Sequence, residues 1–343
     1  MIHFEMDRSN LDWLLEEENP SVRYLALRNV IGFDENLQSV TDAKNQIMQK
    51  GAVSAILSKQ KSEGYWESLG DFYIRTKYRG TVWTLILLAE MCADGKDARI
   101  RNACEIIFER SQDGSSGGFA YRESKEGRGG DHARILPCLT GNMLSCFIRF
   151  GYLEDPRVKK GIEWITRYMR FDDGEGKGPD GWPYDVSDKC WGRHTCYLGL
   201  VKCLKALSEI PVERRSQDVQ VTIDRCIDFI LKHGIYRKSH HPTQLANPRW
   251  ISFGFPLMWD TDVIEILHLL NREGVWDSRM EAAFELVLSK RTKKNVWLLD
   301  KSFNGRMQVR IEKEGAPSKW VTLRALIVLK KAHFHTGSGS GSP

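Results

Sequence analysis

The sequence predicts an all-helical protein in which an inner, apolar set of helices alternates with an outer, amphipathic set and closes into a ring. Three observations carry this. First, one segment returns about every sixty residues: an apolar helix such as Gly80–Met91, a polar helix such as Asp97–Glu109, then a Gly-aromatic turn such as Gly117-Gly118-Phe119. Such self-similarity marks a repeat architecture, because a single helix pair cannot bury its apolar face alone. Second, the turns are long and Gly-rich, at Gln60–Trp66, Gln112–Phe119 and Asp173–Trp182, with a weaker echo at Asn295–Trp297. Third, several of the eleven tryptophans stand in turns or at helix starts, where they wedge neighbouring units or line a hollow. An open array of HEAT type is the alternative, and Asn19 through Arg28 resembles the start of such a repeat. The turns and their tryptophans favour closure.

The inner helices are expected at Ser21–Ile31, Gly80–Met91, Thr140–Phe150, Thr195–Leu207, Asp262–Leu270 and Val321–Lys331. They read as continuous apolar runs, as in Val82–Ala89, because other helices surround them. The outer helices are expected at Thr41–Lys59, Asp97–Glu109, Pro156–Arg170, Gln217–Lys232 and Asp277–Lys290. In the third of these, Val158, Ile162, Ile165 and Met169 form one apolar stripe with Lys159, Lys160, Glu163 and Arg167 opposite. Asp155-Pro156 starts it with an N-cap and a proline at the first helical position. The stretches Gly174–Asp188 and Tyr236–Phe255 are long loops inside the ring, and loops of that length are often functional.

Composition narrows the function classes. Hydrophobic content of 41% and charged content of 28% over 343 residues are ordinary for a globular chain. The net charge of +5 forms no long basic run, which argues against nucleic acid as the main partner. No apolar run approaches the ~20 residues that span a bilayer, which leaves peripheral contact as the one membrane mode open. The opening twenty residues are acidic and lack an apolar signal core, so a reduced, cytoplasmic setting is expected. The eight cysteines are then thiols or metal ligands rather than a disulfide framework. Residues 1–335 are expected to form a single domain, and the Gly/Ser-rich Thr336–Pro343 a disordered appended linker.

The Gln60-x-x-x-Gly64-x-Trp66 turn, with Lys50-Gly51 upstream, is similar to the QW repeat of squalene and terpenoid cyclases, and Gln112–Phe119 is a looser copy. Over residues 20 to 331 the alternation resembles the α/α toroid that terpenoid cyclases share with protein prenyltransferases. That resemblance implies a ring of about six inner helices around a cavity for a small apolar molecule such as an isoprenoid. It is specific for fold and weak for reaction, because one toroid hosts several chemistries.

In such a ring the N-terminal ends of the inner helices face one mouth, where unpaired N–H groups suit an anion. Polar and sulfur-bearing residues recur there: Tyr78-Arg79, Asp131-His132 with Cys138, Asp188 through Cys196, Trp259 through Asp262, and Lys319-Trp320. Arg79, Trp191, Trp259, Lys319 and Trp320 are therefore candidates to hold a ligand, the tryptophans through apolar and cation–π contact. Trp83 is better read as core.

Asp188-x-Cys190-x-x-x-His194-x-Cys196 offers zinc a carboxylate, thiolates and an imidazole, with Cys138 one unit earlier as a further ligand. Asp188 and Cys190 resemble the Asp-x-Cys of the prenyltransferase zinc site, whereas His194 follows too soon to match its histidine. Zinc and no cofactor both remain open, since buried cysteines beside a hydrogen-bonded histidine fit the same pattern. Asp260-Thr-Asp262-Val263 resembles the Asp-x-Asp-Asp motif of class II terpenoid cyclases. The resemblance implies Asp262 as the acid that protonates an alkene or epoxide and Asp260 as its support. The fourth carboxylate is replaced by Val263, and capping, with Asp260 as N-cap and Asp262 on the helix dipole, is the competing account. Asp172-Asp173 looks like a diphosphate–magnesium pair but sits in an Asp/Gly loop. The loop carrying His240, His241 and Arg249 either grips an anion or is solvated. The resemblance thus implies an acid-initiated cyclase or isomerase, with a zinc-dependent transferase or a lipid- or peptide-binding toroid as alternatives.

Overall fold

A computed structural model of the chain describes residues 7–192 and 194–337. Residues 338–343, most of the Gly/Ser tail, and Arg193 lie outside the described residues. The helices in chain order are α1 (Arg8–Leu14), α2 (Pro20–Leu25), α3 (Gln38–Gln49), α4 (Gly51–Leu57), α5 (Thr81–Glu90), α6 (Ala98–Arg110), α7 (Pro137–Arg149), α8 (Pro156–Tyr168), α9 (Asp188–Trp191), α10 (Tyr197–Ser208), α11 (Gln217–Lys232), α12 (Val263–Arg272), α13 (Glu281–Ser289) and α14 (Lys319–Gly337). A short antiparallel hairpin, β1 (Arg237–Lys238) and β2 (His241–Leu245), follows α11.

The architecture is an α/α toroid. Its inner helices are α2 with the π-turn Ala26–Ile31 that continues it, α5, α7, α10, α12 and α14. Helix α5 packs on α7, α7 on α10, α10 on α12, α12 on α14, and α14 returns to α2 and its π-turn. Just after α5, the Asp94 N–H donates to the sulfur of Met48 in α3, which packs on α2. One contiguous apolar cluster runs from Leu14 to Leu329.

Local chemistry explains the starts. Asp97, Asp155 and Ser216 cap α6, α8 and α11 through side-chain oxygens that accept first-turn N–H groups. Pro137 and Pro156 occupy first turns, where their missing N–H costs nothing. Two expected outlines differ. The outer helix read as Thr41–Lys59 is broken into α3 and α4, because Lys50 is extended and Gly51 takes a left-handed φ of 74°. Helix α1 was not expected, since its polar sequence shows no apolar period.

The recurring turns hold each unit by one repeated set of bonds. The backbone N–H of Trp66, Phe119 and Trp297 donates to the hydroxyl of Thr81, Thr140 and Thr322 in the first turn of the next inner helix. The Gln60 amide bridges the Gly64 and Arg99 carbonyls, and Gln112 bridges Gly117 and Arg157 in the same way. The glutamines therefore tie each turn to the next outer helix. The closest inner pair is α7 with α10: a Cβ on Gly141 would lie 2.4 Å from the Lys202 carbonyl carbon. Only glycine permits that approach, and it sets Lys202 inside the ring.

Candidate functional site

The inner helices enclose a cavity of about 1040 Å³ to which all six contribute. It is lined by the C-terminal halves of α5, α7 and α10 and by much of α2, α12 and α14, the first turns of α12 and α14 included. Part of the lining is apolar: Ile86, Leu257, Met258, Leu269, Leu323 and Ile327, with a Phe255–Trp320 stack whose centroids are 3.8 Å apart. Much of the rest is charged. Arg149, Lys205 and Arg272 stand in the last turns of α7, α10 and α12, where cations offset the negative ends of the helix dipoles. Seven basic side chains line the cavity against four acidic ones.

The charges form one network. Arg149 lies 3.2 Å from Glu90 and 2.7 Å from Glu209, and Arg272 reaches Glu209 at 2.8 Å. Lys205 bonds Glu90 closely and lies 3.4 Å from Glu265. Lys202, fully buried, donates to both Glu265 oxygens at 2.9 and 2.7 Å, and the Thr261 hydroxyl donates to Glu265 at 2.8 Å. Burial would push Glu265 up, but Lys202, Lys205 and Arg324 outweigh it and hold the carboxyl at about 2. Glu90 and Glu209 are likewise drawn down against burial by their lysine and arginine partners. The three cavity glutamates are thus ionised.

His268 projects into this wall. Burial first, then Arg272, Arg324 and Arg149, lowers its pKa to about 4, so the ring is a neutral imidazole at pH 7. The folded value lies below the ordinary 6.5, so the unfolded chain takes up the proton first as pH falls. Stability should therefore decline between about pH 6.5 and 4 with a slope of up to about 1.4 kcal/mol per unit from this group. In His268→Gln the decline between pH 6.5 and 4.5 should flatten in chemical denaturation, and an unaltered slope would refute this role.

The residues singled out from sequence fall in four places. Trp320 alone of the five ligand candidates lines the cavity. Arg79 pairs with Glu67 at 3.1 Å, Lys319 with Glu16 at 2.5 Å, and the Trp259 indole donates to the Tyr78 hydroxyl at 2.9 Å. Trp191 borders a separate hollow of about 420 Å³ beside Gly174–Tyr184. Arg79, Lys319 and Trp259 are taken up by these contacts instead of lining the cavity.

Asp262, not Asp260, is the N-cap of α12: it accepts the Glu265 N–H at 2.8 Å, the Gly254 N–H at 3.2 Å and the Arg324 guanidinium at 2.9 Å. It is fully buried behind Arg324 rather than in the cavity wall. Asp260 is held by Arg249 and Lys301, each at 3.0 Å.

Cys138 lies near Cys190 and Cys196, and burial pushes its thiol far up. Burial likewise raises Cys196, whose sulfur accepts the Gly199 N–H to cap α10. His194 is exposed, with Nδ1 3.4 Å from the Thr195 carbonyl, and the Asp188 side chain lies outside the described residues. No three ligand atoms among Cys138, Cys190, His194 and Cys196 gather within 4.8 Å. The described atoms of this set are thus not gathered as a tetrahedral zinc shell needs.

Sequence reasoning missed the charged wall. The available sign was the basic residue at the C-terminal end of one inner helix after another, at Arg149, Lys205, Arg272 and Lys331.

No protein-family model matches the chain, and no curated protein is similar to it in sequence. Among solved structures, the chain is similar to a protein from Actinoplanes at 12% identity, covering 92% of this chain and 90% of that one with a TM-score of 0.42. It is also similar to a variant of the type II terpene cyclase MstE from Scytonema in complex with geranylgeranyl dihydroxybenzoate: 15% identity, 94% and 98% covered, TM-score 0.42. A second MstE variant, in complex with merosterolic acid A, is similar at 13% identity, 85% and 96% covered, TM-score 0.30. At these scores no residue role, substrate or reaction passes to this chain. Among the described residues, no helix is long and apolar enough to cross a membrane.

Proposed function

We propose that the toroid binds a long apolar molecule with an anionic head, of isoprenoid or similar chain character, inside its central cavity. The observation that carries this is one cavity lined both by apolar side chains and by more basic than acidic groups. The chain would lie along Ile86, Leu323 and Ile327 and over the Phe255–Trp320 stack, and the head would face Arg149, Arg272 and Lys205. A volume of about 1040 Å³ stands at the upper end of small-molecule cavities, which run to about 1,000 Å³.

This reading makes Asp262 a positioning carboxylate that holds Arg324. An acid-initiated cyclisation would need a neutral carboxyl within reach of the chain, and the cavity glutamates are ionised. Calorimetric titration with geranylgeranyl phosphate, geranylgeranoic acid and geranylgeraniol tests the proposal. The two anions should bind at least ~10-fold tighter than the alcohol, a gap that narrows with salt. Equal affinity for all three, or no saturable binding, would refute it.

A further inference from the structure

We propose that the anionic head received by the central cavity carries a single negative charge, as in a long-chain carboxylic acid, rather than the larger charge of a phosphate or diphosphate ester. The assignment rests on the function proposed above and narrows it to one class of ligand. The groups that receive the head are His268 and Arg272, which stand at i and i+4 on one face of α12 and both line the cavity.

Charge inside the ring is set by ion pairs that lead from one to the next. Glu90 is shared by Arg149 and Lys205, Arg149 goes on to Glu209, and Glu209 to Arg272. In the other direction Lys205 reaches Glu265 at 3.4 Å, and Lys202 holds both oxygens of that carboxylate. Along this path four cations stand against three carboxylates, which leaves one positive charge over. The neighbouring pair of Asp262 and Arg324 is balanced in itself. The other charged groups of the lining, Lys44, Asp94, Lys96 and Lys331, are exposed, and water screens them.

The surplus falls on Arg272. Arg149 and Lys205 each meet two carboxylates, whereas Arg272 has Glu209 alone, at 2.8 Å, and shares it with Arg149. That contact engages Nη1, and among the described residues no other bond holds the guanidinium. A carboxylate can take two parallel N–H bonds from such a fork. His268 adds a donor without adding a charge. Burial and the surrounding arginines keep its ring neutral, and among the described residues neither ring nitrogen has a hydrogen-bond partner. One of the two nitrogens of a neutral imidazole bears a proton.

An unmatched charge away from water is costly. A head with one negative charge removes the surplus when it binds. A head with two or three replaces it with an excess of negative charge beside Glu209 and Glu265, which their cations already hold ionised. The same count that favours an anion over an alcohol therefore sets a limit on the charge of that anion.

The test is calorimetric titration of the full chain with geranylgeranoic acid, geranylgeranyl phosphate, geranylgeranyl diphosphate and geranylgeraniol. The acid should bind at least ~10-fold tighter than the diphosphate. From pH 8 to 6 the affinity for the monophosphate should rise at least ~3-fold, as it regains the proton whose pKa is about 6. The acid, ionised throughout, should hold steady and reports any titration of the protein itself. Arg272→Gln removes the surplus charge and should weaken the acid at least ~10-fold while leaving geranylgeraniol unchanged. Glu209→Gln adds to the surplus and should narrow the gap between diphosphate and acid; where that variant fails to fold, Arg272→Gln, at a side chain 34% exposed, still decides. A diphosphate that binds as tightly as the acid, a monophosphate affinity indifferent to pH, or an Arg272→Gln protein that holds the acid as well as the parent would each overturn the single charge and leave an anionic head in place. Equal binding of acid and alcohol, or no saturable binding, would overturn the anionic head itself and this inference with it.

Discussion

Glu265→Gln should lower stability by about 3–5 kcal/mol, the largest effect expected of any conservative substitution in this protein. The carboxylate it removes is the anionic partner of Lys202, which is fully buried and which donates to both of its oxygens. An amide keeps the shape and loses the charge, leaving an ammonium uncompensated in the ring. Burial already lowers the Lys202 pKa, with Glu265 as the main opposing influence. Without Glu265 the amine should lose its proton nearer to neutral pH, so the deficit should shrink between pH 7 and 9 in urea denaturation. The double change Lys202→Met with Glu265→Leu should recover most of the loss, because removing both charges also removes both desolvation penalties. A Glu265→Gln protein within about 1 kcal/mol of the parent would mean that the network does not hold the inner helices together.

Asp262→Asn should cost about 3 kcal/mol, for a reason that isolates the ion pair from the cap. Asparagine caps a helix as well as aspartate does, so the bond from the Glu265 N–H survives. What is lost is the charge facing Arg324, whose guanidinium spans from Asp262 to the Gly254 carbonyl and is fixed between α12 and α14. Thermal unfolding should show the loss directly. An unchanged melting temperature joined to abolished turnover of an isoprenoid substrate would instead assign Asp262 the acid role that the Asp-x-Asp resemblance implies.

The fold was legible because its signals are local and redundant. Helix α8 announces itself by Asp155, Pro156 and a single apolar stripe, and α5 by eight successive buried residues from Val82 to Ala89. The π-turn at Ala26–Ile31 and the break at Gly51 were not legible, since neither alters the apolar pattern by more than one residue. The charged part of the cavity lining was not legible in the sequence. Polar residues at N-terminal ends attract notice, yet Asp260, Arg79 and Lys319 are consumed by ion-pair partners in other segments. Glu90, Glu265 and His268 stand among apolar neighbours, and only the ring closure brings Lys202, Lys205 and Arg149 to face them. Long-range pairing of that kind leaves no periodic trace.

On the proposed function, the ligand lies in the interior of the ring. Photolabelling with a geranylgeranyl phosphate carrying a diazirine on its chain, followed by peptide mass spectrometry, tests it most directly. Label should fall on peptides holding Ile86, Met258, Leu323 and Ile327, be competed away by unlabelled geranylgeranyl phosphate, and vanish when Ile327→Trp fills the cavity. Saturable label on outer helices such as α6 or α11, with the cavity peptides clean, would contradict the account.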